Sequence, residues 1–288
     1  MTYTSTVPAT STSASLQCLQ IWGEGGDVEQ ALALPGVDAW VYARAWAASG
    51  RGGDVHFVST CGHGLIARFA VADVAGHGQH SAPLAQRLRR LMRRHINELD
   101  QTEFLRVLNQ EYLAQATEGR FATALLASFH RPTRHLVVCN AGHPRPLWYR
   151  SATRAWQLVD FDQGLPPAQG LNLPLGIVAP TTYQQIAFPI SPGDLIVLYS
   201  DGYTEVPGAE QGLLGERGLL ALARDIDARD PAAFGTALNA AVAQRTDTAP
   251  STDDRTLLVI RPHFEEPPPL SVAERLRVLG RMVGLLPV

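Results

Sequence analysis

Polar and apolar positions alternate along residues 38–47 (DAWVYARAWA), and the period of two predicts a strand. The runs 55–60 and 65–74 predict a hairpin turning around Gly62–Gly64. The period then changes. Leu84, Leu88, Leu91 and Met92 recur at helical spacing within 78–98, and Phe104, Leu105, Leu108 and Tyr112 give a second helix its apolar face. Asp100 with Glu103 resembles a capping box for that second helix, and Gly119 is expected to end it. Strand patterns return over 121–129, 135–140, 146–149 and 156–159, and a Gly/Pro-rich loop follows over 161–174. Further strands are expected at 183–188 and 195–200, helices near 216–225 and 231–243, and a last strand at 255–261. Strand hairpins interrupted by helix pairs point to an α+β fold, with antiparallel sheets and helices on the outside.

The ends of the chain read differently. Residues 1–16 are Ser/Thr/Ala-rich and are expected to be disordered. The globular domain is expected over 17–262. Residues 263–288 contain EEPPPL (265–270), a stiff linker, and continue into an amphipathic helix with Val272, Leu276, Val278, Leu279, Met282 and Leu285 on one stripe. Only three arginines serve its polar face, which favours docking on its own domain or on a partner over a membrane surface.

Composition narrows the chemistry. A net charge of −3 gives no bulk argument for nucleic acid or membrane. All 24 basic residues are arginine, which excludes a Walker A lysine, a Schiff-base lysine and a Ser–Lys dyad together. Cys18, Cys61 and Cys139 form no CxxC pair and read as reduced thiols of a cytoplasmic protein. The N-terminus has no secretory signal pattern, and no apolar run is long enough to span a membrane.

Four acidic motifs stand at strand boundaries: GGD (Gly52, Gly53, Asp54), VADVAGHG from Val71, LYSDG from Leu198, and STDDRTLLVI from Ser251. Any one of them is explained by a turn, since Asp–Gly is a common turn pair. Four together point to a shared hard-cation site, because carboxylate oxygens are the natural ligands of Mg²⁺ and Mn²⁺. The candidate ligands are Asp54, Asp73, the Val74 carbonyl, Asp201 and Asp253, with Asp254 as the alternate to Asp253. A metal-dependent hydrolase is the reaction class that follows.

The order GGD, DVAGHG, FATALLASF, NAGHPRPLWY, LPLGI, GDLIVLYSDGYTE, DDRTLLVIR resembles the SpoIIE-like branch of the PPM phosphatases, which are similar to protein phosphatase 2C. The resemblance spans about residues 42–261. It implies an α-β-β-α sandwich of two antiparallel sheets flanked by helices. It implies two Mn²⁺ or Mg²⁺ ions, with Asp73 bridging them and Asp54, Asp201 and Asp253 completing the set. It also implies hydrolysis of phosphoserine or phosphothreonine by metal-activated water, often on an anti-sigma-factor antagonist, without a protein nucleophile. A separate sensor or regulator protein is a further expected partner. Two departures stand out. The run after GGD is Val55, His56, Phe57 where the family has GGDYYD, and Ala75 stands where 2C-type members carry a histidine. His77 is the remaining candidate acid, although a turn residue is the plainer reading. Asn140 and His143 of NAGHP read as a turn bonded to backbone. Arg87, Arg89, Arg90, Arg93 and Arg94 crowd one helix, either as a solvated face or as a docking surface for an acidic phosphoprotein. Two alternative functions stay open: a pseudophosphatase acting as a binding module, and a hydrolase of small phosphate esters.

Overall fold

Alternation along each strand decides which core it feeds. In the structure, a computed structural model, residues 14–16, 20–23, 27–46, 52–61, 64–76, 81–96, 98–114, 120–161, 171–208, 212–245 and 253–265 are described. One sheet has seven strands in the order β1 (Ala14–Ser15), β3 (Val28–Leu34), β4 (Val37–Arg44), β13 (Arg255–Pro262), β12 (Leu195–Tyr199), β9 (Leu147–Arg150) and β10 (Ala155–Leu158). The other has six: β11 (Gln185–Pro189), β8 (His135–Ala141), β7 (Ala122–His130), β6 (Ile66–Val74), β5 (Val55–Cys61) and β2 (Ile21–Trp22). Every pairing is antiparallel except that of β1 with β3.

The sheets face each other across a core that includes Val37, Ala39 and Val41 of β4, Phe69 and Val71 of β6, Leu125 and Phe129 of β7, and Leu258 and Ile260 of β13. The alternate residues face outward onto helices. Val55, Phe57, Ala70, Ala72 and Leu126 pack under α1 (Ala82–His95) and α2 (Gln101–Leu113). Trp40, Val197, Leu257 and Val259 pack under α3 (Gly215–Arg224) and α4 (Pro231–Ala243), where Phe234, Leu238 and Val242 fall four residues apart on one face. The result is the α-β-β-α layering that the resemblance implies. Burial on both faces explains why β12 and β13 read as continuous apolar runs rather than alternating ones.

Several boundaries differ from the expectation. β1, inside the segment expected to be disordered, pairs Ala14 and Ser15 with Leu32 and Ala33 of β3. β3 itself carries no clear period: only Leu32 and Leu34 are buried, and its register comes from pairing with β4. α2 ends at Leu113, six residues before Gly119. Only half of its capping box forms. Asp100 accepts from Thr102 N (2.9 Å) and Glu103 N (3.3 Å), while Glu103 pairs with Arg106 instead of reaching back. Among the described residues no helix is long and apolar enough to cross a membrane. From residue 266 onward, the expected linker and C-terminal helix lie outside the described residues.

Candidate metal centre

The acidic residues collect at one end of the sandwich because of strand parity. Asp73 follows Ala67, Phe69 and Val71 on the inter-sheet face of β6. Ser200 follows Ile196 and Leu198 on the facing sheet, and Thr256 precedes Leu258 and Ile260. Polar side chains on these alternating positions emerge where the apolar stripe stops.

Two carboxylates join the sheets. Ser200 Oγ donates to Asp54 Oδ2 (2.7 Å) and accepts from Thr256 N (2.9 Å). Asp54 Oδ1 is buried and takes no hydrogen bond from the described residues. Asp254, 4% exposed, accepts from Trp46 N (2.7 Å) at the end of β4 and from Gly53 N before β5. Its oxygens are thereby committed to backbone, which separates it from its neighbour.

Asp253 faces a different group. Beyond β12 a 3₁₀ turn spans Asp201–Tyr203, and the N–H groups of Thr204 and Glu205 both donate to the Asp201 carbonyl (2.7 and 2.8 Å). That turn puts Asp201 and Glu205 on one side. Gly202 lets it lie against the last strand: a Cβ there would come within 2.0 Å of the Asp254 carbonyl oxygen. Carboxylate oxygens of Asp201, Glu205 and Asp253 consequently lie within 4.8 Å of one another. Glu205 did not emerge from the sequence. Its signal was present as a four-residue spacing from Asp201, legible only once that segment is known to be helical.

Asp73 and Asp54 do not fall within that trio, so the four motifs do not converge on one tight cluster. Asp73 stands beside it with the Val74 carbonyl. A Cβ on Gly53 would lie 3.0 Å from Val74 O and 3.2 Å from Asp73 Oδ1, so the absence of a side chain leaves both oxygens approachable. The groups share one electrostatic field. Burial, then repulsion from Asp54, Asp201, Asp253 and Asp254, holds the Asp73 carboxyl well above the usual range. Burial first, with Asp254 and Asp201 adding to it, raises Asp54 to about 8. Asp201 rises to about 6 through burial and repulsion from Asp253 and Glu205. Such crowding of carboxylates is what a hard divalent cation offsets. The donor set is all oxygen, without the sulfur or imidazole that marks a softer metal, so the residues fit Mg²⁺ or Mn²⁺.

The remaining candidates are placed as follows. His77 lies outside the described residues. Asn140 Nδ2 donates to His143 O (2.8 Å) and His143 N to Asn140 Oδ1 (2.7 Å), the backbone-bonded turn expected of NAGHP. The five arginines of α1 do not share one face. Arg94 pairs with Glu111 (3.1 Å). Arg89 is half-buried and close enough to His56 that its charge, after burial, helps lower that imidazole to about 4. Arg87, Arg90 and Arg93 are exposed.

No curated protein matches the chain by sequence. Among solved structures, the RsbU and RsbW domains of Rv1364c from Mycobacterium tuberculosis are 24% identical with a TM-score of 0.69, over 91% of this chain and 71% of that one. The SiaA-PP2C domain of Pseudomonas aeruginosa is 22% identical with a TM-score of 0.62, over 77% and 84%. RsbX in complex with magnesium is 17% identical with a TM-score of 0.59, over 82% and 100%. At these identities the likeness shows the fold. A family model described as Stage II sporulation protein E (SpoIIE) matches residues 66–263, more than half of the chain and a span that contains Asp73, Asp201, Glu205 and Asp253. The chain therefore belongs to the SpoIIE family of PPM-type, metal-dependent serine/threonine phosphatases.

Proposed function

We propose that this phosphatase removes phosphate from serine or threonine of a small signalling regulator of the anti-sigma-factor-antagonist type, in the cytoplasm, using two Mn²⁺ or Mg²⁺ ions. The observation that carries the reading is the pair of adjoining oxygen groups at the sandwich end: Asp201, Glu205 and Asp253 on one side, Asp73 with the Val74 carbonyl on the other. Two groups support two ions, and Asp73, whose carboxyl feels the charge of Asp54 as well as of Asp201 and Asp253, is the residue suited to bridge them. When bound, such ions supply charge that offsets the phosphoryl oxygens and lower the pKa of water. The chain's own residues hold the frame. Ser200 fixes the orientation of Asp54, and Asp254 pins the strand ends from which the ligands project. The magnesium in the RsbX complex supports the cation class, and the joining of an RsbU domain to an RsbW domain in Rv1364c supports a regulator protein as partner.

The test is hydrolysis of p-nitrophenyl phosphate and of a phosphoserine regulator protein, with Mn²⁺ or Mg²⁺ and with chelator, beside an Asp73→Asn control. Metal-dependent turnover of both, lost in the control, is the expected result. Turnover of the small ester alone, across a panel of phosphoproteins, would assign the site to small phosphate esters. No metal-dependent turnover of either would make the chain a binding module.

A further inference from the structure

A second polar site lies on the far face of β6, away from the carboxylates. Arg68 alternates with Ala70 and Ala72, so it points toward α1 and α2 rather than into the inter-sheet core. It is 5% exposed, and its two terminal nitrogens, Nη1 and Nη2, are buried without a hydrogen-bond partner among the described residues. Its cross-strand neighbours are Ser59 on β5 and Ser128 on β7. Above it stands Gln101, the first residue of α2, whose Nε2 donates to Ser128 Oγ (2.7 Å) and Val137 O (3.2 Å). Arg68, Gln101, Ser128, Glu98 and Ile96 line a cavity of about 10 Å³ between the strands and the start of α2.

A guanidinium stays charged at any ordinary pH, and burying it unpaired is strongly unfavourable. One oxygen of the carboxylate on the cavity rim is engaged elsewhere: Glu98 Oε1 accepts from Leu99 N (2.9 Å) and Asp100 N (3.3 Å), and among the described residues no ion pair links Glu98 to Arg68. The Asp100 carboxylate caps Thr102 N and Glu103 N. The free donors are those of Arg68, the Gln101 Oε1 acceptor and the Ser59 hydroxyl are also buried without a partner among the described residues, and the positive end of the α2 dipole adds to the positive field. The cavity has room for one particle about the size of a water molecule. Among common anions only a monatomic halide comes near that size, and a phosphate or sulfate is excluded.

We propose that this cavity is a small-anion site, with chloride as the class of ligand, held by Arg68 and closed by the start of α2. The site ties α2 to β6, the strand that carries Asp73 five residues further on. It does not depend on the phosphatase reading.

The test is thermal melting of the full chain with chelator present, at constant ionic strength, in sodium chloride against sodium gluconate. Wild type should melt about 3–5 °C higher when chloride exceeds its Kd tenfold. Arg68→Met should lose the difference. Should that variant fail to fold, bromide scattering from crystals of the wild type should place an anion in the cavity. Equal melting in the two salts, or no bromide there, would mean that water fills the cavity, and the proposal fails. A sulfate response equal to that of chloride would reveal a general salt effect and also overturn it. Glu98→Gln separates the remaining source of negative charge. A chloride response seen in Glu98→Gln but not in wild type would make Glu98 the partner of Arg68 and refute the external site.

Discussion

Asp253 and Asp254 are adjacent in sequence, yet the structure gives them opposite work, and substitution should separate them. Asp254→Ala strips the acceptor from two backbone donors, Trp46 N and Gly53 N. Each buried donor left unsatisfied costs about 1–3 kcal/mol. Relief of the repulsion that Asp254 exerts on Asp54 and Asp73 offsets part of this, leaving a net loss of about 2–4 kcal/mol. For a domain of this size that lowers Tm by roughly 4–15 °C. Asp253→Asn behaves differently. Its Oδ1 accepts from Asp254 N (2.8 Å), and the amide oxygen of asparagine can keep that bond. Loss of the charge also relieves Asp73 and Asp201. The chelated Asp253→Asn protein should therefore melt at or slightly above wild type. What it loses is the metal response. Wild type should gain about 3 kcal/mol when the cation is at a hundredfold excess over Kd, and Asp253→Asn should gain far less. The assay is a melting series of both variants and wild type in chelator and in increasing Mn²⁺ or Mg²⁺. The reasoning is refuted if chelated Asp254→Ala melts with wild type, or if chelated Asp253→Asn melts several degrees below it.

Three further outcomes are expected. In chelator, stability should fall as pH rises from about 4, the unfolded carboxylate range, through about 6 and 8, where Asp201 and Asp54 ionise in the folded protein, because the folded form holds protons that the unfolded form has released. Melting curves across that range should show the decline, and saturating Mn²⁺ should flatten it; a rise with pH in chelator would contradict the raised carboxyls. Gly202→Ala places a methyl group 2.0 Å from the Asp254 carbonyl oxygen, so it should cost roughly 1–3 kcal/mol and misalign Asp201 from Asp253. Near-normal melting and metal affinity would show that the turn moves freely. Replacing exposed Arg90 and Arg93 together by glutamine should slow turnover of a phosphoprotein and spare p-nitrophenyl phosphate, and an equal loss of both would remove the docking role of α1.

The sequence by itself determined the class of fold, because alternation and helical spacing are local consequences of where side chains point along a strand or helix. The strong patterns at 55–60, 65–74 and 84–92 correspond to β5, β6 and α1. It also located the candidate ligands, since an aspartate where an apolar strand stops stands out without any neighbour. Tertiary structure decided what local pattern cannot carry. β1 and β2 are two residues long and β3 has a weak period, so they become strands only through their partners. Glu205 joins Asp201 and Asp253 through a 3₁₀ turn pressed against the last strand, a contact across about fifty residues of chain. The division of labour between Asp253 and Asp254 was likewise settled by distance: one carboxylate meets two backbone donors from β4 and the segment before β5, while the other meets acids. The same holds for Arg68. In the sequence it is one of 24 arginines, and only the packing of α2 over β6 leaves its charge buried without a partner among the described residues.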